Sequence, residues 1–399
     1  MKRKNNLYNR ITDIRNIISM YNTRVKINTK NKIKIEKFDE YYVSNITLVK
    51  NILDSKNYKP GKYNIFIIKE PKVRLIMSLN IIDKIINHLV CEYLLVDIFD
   101  NSLIDTNVAT RVNKGTHYGY KKLVNYLNKN ISKNLYILKF DIKKYFFNID
   151  HDIVKRIIRT KIKDNDALNI LDNIIDSTDS TYINEDIIKL KNREINRIKN
   201  SNCSNKDKLI KDIMDIMDIP LYKKGTGFAI GNPVSQAVAI LFLSYLDHYI
   251  KEELKIPFYC RYCDDGILIS DNKEYLKHCL NDIKRIISKY KLELNMKKTR
   301  IYSINEGFEF IGFKFIKKNN KLLAKIKNQT KRKFKRKLKV LNKLYIEGRI
   351  DYDTFNQVKV SYLGHLKYGN CNKLIRNNLM KLNGRYDGFG TFVKVEDYL

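Results

Sequence analysis

Apolar residues recur at helical spacing from Leu7 to about Tyr58, with a polar break near Asn28–Asn31, and predict a series of short helices. The period then shortens. Tyr63 to Ser78 reads as two strands, Ile65-Phe66-Ile67-Ile68 and Val73-Arg74-Leu75-Ile76, around a Lys69-Glu70-Pro71-Lys72 turn. Helical spacing returns from Ile81 to about Phe99. Leu135-Tyr136-Ile137-Leu138-Lys139-Phe140 has the length and composition of a buried strand and ends on Asp141. Asp150 stands as an N-cap before a helix over Asp152–Ile162. A buried helix is expected over Ala237–Lys251 and an amphipathic one over Lys273–Tyr290.

Between those two helices lies Phe258-Tyr259-Cys260-Arg261-Tyr262-Cys263-Asp264-Asp265-Gly266-Ile267-Leu268-Ile269. Aromatic and β-branched runs flank a short polar centre, which predicts a hairpin carrying both acids at its tip, with Gly266 easing the turn. Asp176 to Leu221 is polar and charge-dense, includes Asn200-Ser201-Asn202-Cys203-Ser204-Asn205, and reads as an insertion, either a helical hairpin or a partly mobile segment. From Lys318 onward the chain becomes strongly basic, and Lys325–Lys337 leads an expected helical C-terminal region. No internal repeat is evident.

Composition supports a folded chain of 399 residues, with 44% hydrophobic and 11% aromatic content. Lysine and arginine number 77 against 43 acids, a formal net charge of +34. A genome biased toward Lys, Asn and Ile codons explains many lysines but not the shortage of acids. A polyanion is therefore the expected partner, nucleic acid first. No basic amphipathic anchor points to a membrane surface, and the longest apolar run, Ala237 to Leu243, is too short to span one. The six scattered cysteines suit a reducing cytoplasm, and Cys260-x-x-Cys263 lacks the partner pair or following helix that would make it a zinc or redox motif.

Adjacent aspartates repel, so a tip that projects Asp264 and Asp265 beside apolar strands invites a divalent cation, although a solvated turn uses the same residues. Asp141 changes the balance. If its strand neighbours the hairpin in one sheet, three carboxylates converge on the rim. Such a cluster can hold two Mg²⁺ ions for phosphoryl transfer, with Mn²⁺ as a substitute. Six dispersed histidines argue against a zinc site.

On these residues the chain resembles a bacterial reverse transcriptase. Tyr262-Cys263-Asp264-Asp265 matches that family's Y-x-D-D motif, and Phe140-Asp141-Ile142-Lys143-Lys144-Tyr145-Phe146 its earlier metal-binding motif. Gly227 to Gln236 is similar to the template and nucleotide-pocket motif, Leu292 to Thr299 to L-x-x-N-x-x-K-T, and Phe310-Ile311-Gly312-Phe313 to the primer grip. Lys72-x-Arg74 resembles the fingers motif. The motifs arrive in the family's order between about Tyr58 and Asn370, and are specific as an ensemble.

The resemblance implies an α+β right-hand polymerase fold. Residues 1–134 would form N-terminal helices and fingers, 135–318 a palm with the charged insertion near 176–221, and 319–399 a basic helical thumb and tail. Asp141 and Asp264 would be the principal metal ligands, with Asp265 and the Ile142 carbonyl in support. Lys72 and Arg74 would meet the incoming triphosphate, and Gln236 the nucleotide or template. Phe146 would be the steric gate against a ribose 2′-OH, though a core phenylalanine fits the same pattern. Lys298 would donate a proton to pyrophosphate or serve a structural role. Phe310, Ile311 and Gly312 would grip the primer, while Arg111, Lys114, Lys331, Arg332, Lys335 and Arg336 would bind nucleic acid.

Ile230-Gly231-x-x-x-Ser235-Gln236 has the form found in diversity-generating retroelement polymerases, and Arg111 to His117 resembles an R-x-G-K-G-T-H segment with Asn113 in place of Gly. Antiviral defence enzymes share this pattern, and the long insertion favours them. The implied partners are an RNA template, nascent DNA and dNTPs, with room for a dedicated structured noncoding RNA and an accessory protein. Two alternatives remain at this point: a non-catalytic RNA-binding protein on a polymerase scaffold, and an RNA-directed RNA polymerase.

Overall fold

The computed structural model describes residues 3–70, 72–201, 206–371 and 374–376, together with the backbone of Arg385–Tyr386 and Phe392–Val393. Pro71 of the expected turn, residues 202–205 of the insertion (Cys203 among them) and most of the expected tail beyond 376 lie outside the described residues. Helices and antiparallel sheets give an α+β fold, as expected, divided into two compact units.

The first unit comprises Met1–Thr110, Ile142–Glu253 and Asn281–Asn295. It opens with the expected short helices, Tyr8–Thr12, Ile14–Met20, Tyr21–Lys26, Lys32–Glu40 and Tyr42–Asp54. Asp13 and Asn31 start two of them by accepting hydrogen bonds from the amides of Arg15 and Lys34. Strands β1 (Asn64–Ile68) and β2 (Arg74–Ser78) form an antiparallel hairpin. Two strands alone are marginal in water, so their apolar face needs a cover. The insertion supplies it. Its helices Thr181–Lys199 and Lys206–Met217 pack on one another, and Ile183, Ile187 and Leu190 join Leu75, Met77 and Tyr63 in one buried cluster. The hairpin of helices is present as expected, but it is built into the core. The stretch expected as one helix over Ala237–Lys251 is a chain of three, Pro233–Phe242, Ser244–His248 and Tyr249–Glu253.

The second unit comprises Arg111–Asp141, Leu254–Leu280 and Met296–Leu399. Strands β3 (Tyr136–Phe140), β4 (Phe258–Tyr262), β5 (Asp265–Ser270) and β6 (Arg300–Ser303) form a sheet in the order β4-β5-β3-β6, antiparallel throughout. The helix Thr116–Lys129 lies against it, with the Tyr126 and Phe258 ring centroids 5.0 Å apart. A second sheet joins β7 (Phe308–Phe310), β8 (Phe313–Lys318) and β9 (Lys321–Ile326) in sequence order.

Strand β9 takes Lys325 and Ile326, the first residues of the stretch expected as basic helix. Asn319 and Asn320 both take positive φ, 48° and 56°, and make the tight turn that returns the chain onto β8. Basic helix begins only at Asn328 and runs to Ile346, burying Phe334 and Leu338 one turn apart. Among the described residues no helix is long and apolar enough to cross a membrane.

Candidate active site

The register of the four-stranded sheet brings the three acids to one edge. Phe140 pairs with Gly266, and Tyr262 with Asp265, so Asp141 leaves β3 beside the β4–β5 turn. Lys298 donates to Asp141 Oδ2 at 2.7 Å, and Lys139 Nζ lies 3.0 Å from Asp265 Oδ2. The other Asp265 oxygen, Oδ1, is buried and has no hydrogen-bond partner among the described residues. Burial pushes the Asp264 carboxyl up to about 6, helped by the charges of Asp141 and Asp265 and opposed by Lys298. Asp265 is also pushed up, by burial against the pull of Lys139. A buried oxygen without a partner among the described residues, beside carboxylates that raise one another's proton affinity, fits a hard divalent cation, which takes oxygen donors and offsets their repulsion.

The turn itself differs from the expectation. Only Asp264 lies in the two-residue loop, because Asp265 is the first residue of β5. The left-handed position is taken by Cys263, at φ 56°, and not by Gly266. Gly266 serves another purpose. A Cβ there would come within 2.3 Å of the buried Phe140 ring, so its bare backbone makes room for the residue preceding Asp141. Arg261, fully buried, donates from Nη1 to the Cys263 carbonyl at 2.6 Å and holds the strained turn. Sequence reasoning missed Arg261; the signal was a lone charge inside an apolar strand. Cys260 and Cys263 are not joined in a disulfide.

Other predicted residues lie in the first unit. Lys72 and Arg74 are exposed, Arg74 opening β2 and Lys72 standing in the bend before it. Ile142 is buried and bridges to Leu294. Lys144 turns left-handed at φ 49° to start the single-turn helix Tyr145–Asn148. Tyr145 is buried and donates to the Ala239 carbonyl at 2.5 Å, while Phe147 packs on Tyr222 at 4.8 Å. Phe146 between them stays half-buried, and its carbonyl accepts from the Phe228 amide at 2.7 Å. Gly231, at φ 127°, lies so close to β2 that a Cβ would sit 3.1 Å from the Met77 carbonyl. The helix that follows presents Gln236 exposed and Ser235 buried.

The rest lie in the second unit. Ile311 and Gly312 form the β7–β8 turn, both at positive φ, 42° and 92°. A β-branched residue there is strained. Phe310 beside it is fully buried. Asn113, standing where the resemblance expects Gly, takes φ 58°, a conformation asparagine tolerates. Arg111 and Lys114 flank it, half-buried. Arg332, Lys335 and Arg336 are exposed along the helix Asn328–Ile346, and Lys331 is half-buried.

One group was not foreseen. His151 is buried in the first unit, with Nε2 2.8 Å from the Gly227 carbonyl and Nδ1 3.2 Å from Asp176 Oδ1. With Asp179 these side chains lie close enough to hold a metal ion. Lys155 Nζ, 2.6 Å from Asp176 Oδ2, already supplies a cation there. The three residues are 25 and 28 positions apart at their widest, and a 3-10 turn over Asp176–Asp179 brings the acids to the histidine.

Residues 59–315, well over half the chain, match the family described as reverse transcriptase (RNA-dependent DNA polymerase). The chain belongs to that family. It is 37% identical over 65 residues to Protein YkfC of Escherichia coli (strain K12), a stretch covering 16% of this chain and 17% of YkfC. Among solved structures it is similar to apo telomerase from Candida tropicalis, with a TM-score of 0.40, 14% identity, and coverage of 66% of this chain and 48% of that one. The same telomerase truncated from the C-terminal domain gives 0.40 and 15%, covering 65% and 54%. The chain thus spans about half of those telomerase chains and a small part of YkfC.

Proposed function

We propose that this protein is an RNA-directed DNA polymerase that extends a primer 3′-OH with dNTPs by two-metal catalysis. The observation that carries the proposal is the acid cluster at the edge of the β4-β5-β3-β6 sheet, with a buried Asp265 oxygen lacking a partner among the described residues. Asp141 and Asp264 would hold Mg²⁺ or Mn²⁺, supported by Asp265 and the Ile142 carbonyl, and the ions would neutralise phosphate charge and acidify the primer hydroxyl. Lys298 steadies Asp141 and offers a proton to the leaving pyrophosphate. Lys72 and Arg74 neutralise the triphosphate, and Gln236 contacts the nucleotide or template. Phe146 excludes the ribose 2′-OH and makes the product DNA. Phe310, Ile311 and Gly312 position the primer. Arg111, Lys114 and the basic helix with Lys331, Arg332, Lys335 and Arg336 hold the template–product duplex through its phosphates.

In this proposal residues 1–134 act as fingers, 135–318 as palm and 319–399 as thumb. The enzyme works in a reducing cytoplasm, within the bacterial branch that serves antiviral defence or diversity-generating retroelements. The form of Ile230 to Gln236 supports that branch, and sequencing the nucleic acid that copurifies with the protein tests it. For the chemistry, Asp264→Asn with Asp265→Asn should abolish Mg²⁺-dependent dNTP incorporation on a primed RNA while leaving RNA binding in place. Undiminished incorporation by that variant overturns the assignment. RNA binding without extension by the unaltered protein supports a scaffold instead, and equal use of rNTPs supports an RNA polymerase.

A further inference from the structure

Lys139 is the one lysine of strand β3, two residues before Asp141 and on the same face of the sheet. Its register partner on β5 is Ile267, so Asp265 is its diagonal neighbour across the pair. The ammonium lies 3.0 Å from Asp265 Oδ2 and also donates to the Glu309 carbonyl at 2.9 Å. Glu309 is the central residue of β7, in the other sheet. Its carboxylate is in turn 2.9 Å from Lys327 Nζ, at the N-cap of the basic helix Asn328–Ile346. Surface lysines usually keep their rotamer freedom and contribute little. This one is only 16% exposed and is fixed at two points on different sheets.

We propose that Lys139 is a positioning residue that ties the Asp265 carboxylate to the β7–β8 hairpin, and so sets where a primer end lies relative to the acid cluster. This rests on the polymerase function proposed above and adds a residue to it. Three details support the direction. Lys139 occupies Asp265 Oδ2 and leaves the buried Oδ1 free, which gives that carboxylate one orientation. Glu309 stands two residues from Ile311, whose left-handed φ of 42° marks the hairpin tip as a place where the backbone is held in an unfavourable shape. The hairpin is anchored by buried Phe308, Phe310 and Phe313, so the tie adjusts its placement and does not carry its folding.

The test compares Lys139→Met, which keeps the apolar stem, and Lys139→Arg with the unaltered chain. Amide exchange over 308–313 should quicken about tenfold in the Met variant while the β3–β5 amides keep their protection. Extension kinetics should show kcat/KM for primed template down roughly tenfold with the dNTP KM within about twofold. The Arg variant should recover part of both. Unchanged hairpin exchange overturns the proposal, as does quicker exchange with unaltered primed-template kinetics. Equal losses in every kinetic constant together with lost β3–β5 protection mark an ordinary structural lysine and also overturn it. If the unaltered chain extends no primer, the polymerase assignment fails and the positioning role falls with it; the exchange data then still report whether the tie itself exists.

Discussion

Replacing Gly266 with alanine should destabilise the second unit by about 2–3 kcal/mol, at the upper end of overpacking costs. The new Cβ would stand 2.3 Å from Phe140 Cζ and 2.4 Å from Cε1, and the ring has no solvent into which to move. Both backbones are fixed by sheet hydrogen bonds, so relief has to come from the ring. Phe140→Leu alone should cost about 1–2 kcal/mol for the lost packing. Combined, the two changes should cost no more than about 2 kcal/mol, because the shorter side chain makes space for the methyl, giving a coupling of roughly 2 kcal/mol. Urea unfolding of the four proteins, with m held constant across the set, measures this cycle. Costs that add to within about 0.5 kcal/mol refute the steric account and return Gly266 to a role in the turn. Extension activity should fall further than stability in the alanine variant, since Phe140 precedes Asp141.

The raised Asp264 carboxyl has a signed consequence for stability. Its folded value of about 6 lies above the ordinary 3.8, so its contribution is complete below the lower value and lost as pH rises through the higher. In metal-free buffer at about pH 8, Asp264→Asn should therefore be the more stable protein, by up to about 3 kcal/mol, with no gain at about pH 3; parallel melting curves against pH refute this. Ile311→Asn should raise the unfolding free energy by about 0.5–1 kcal/mol by relieving a β-branched residue at positive φ, while impairing primer use; a lowered urea midpoint at unchanged m shows that the tip is not strained. Phe146→Ala should admit rNTPs in single-nucleotide extension, and an unchanged sugar preference removes the gate.

Where local pattern decides structure, the sequence was a sufficient guide. The apolar run ending at Asp141, the Asp150 N-cap and the paired runs around Cys263 all appear where expected, because each rests on spacing within a few residues. What eluded it depends on neighbours distant in the chain. Gly266 looks like a turn residue until Phe140 is placed across from it. His151 meets its carboxylates only after the helices His151–Arg159 and Asn165–Ile175 have brought the 3-10 turn back to it. Strand β9 was hidden by its lysines, although Asn319-Asn320 is a dipeptide suited to a tight hairpin. The insertion's charge likewise masked Ile183, Ile187 and Leu190, which recur at helical spacing and are buried.

That last packing bears on any attempt to make a smaller enzyme. The segment from Thr181 to Ile219 has the composition of an accessory that trimming would remove harmlessly. Yet Ile183, Ile187, Leu190 and Ile219 are the roof over Leu75 and Met77. Four aliphatic side chains at about 1.5–3 kcal/mol each approach the whole stability of an average domain. Excision would strip the β1–β2 hairpin, and with it the strand bearing Arg74, of most of the aliphatic cover it has in this cluster, leaving Tyr222, Ala229 and Phe147. A lineage or an engineer that dispensed with this segment would first have to rebuild the sheet beneath it.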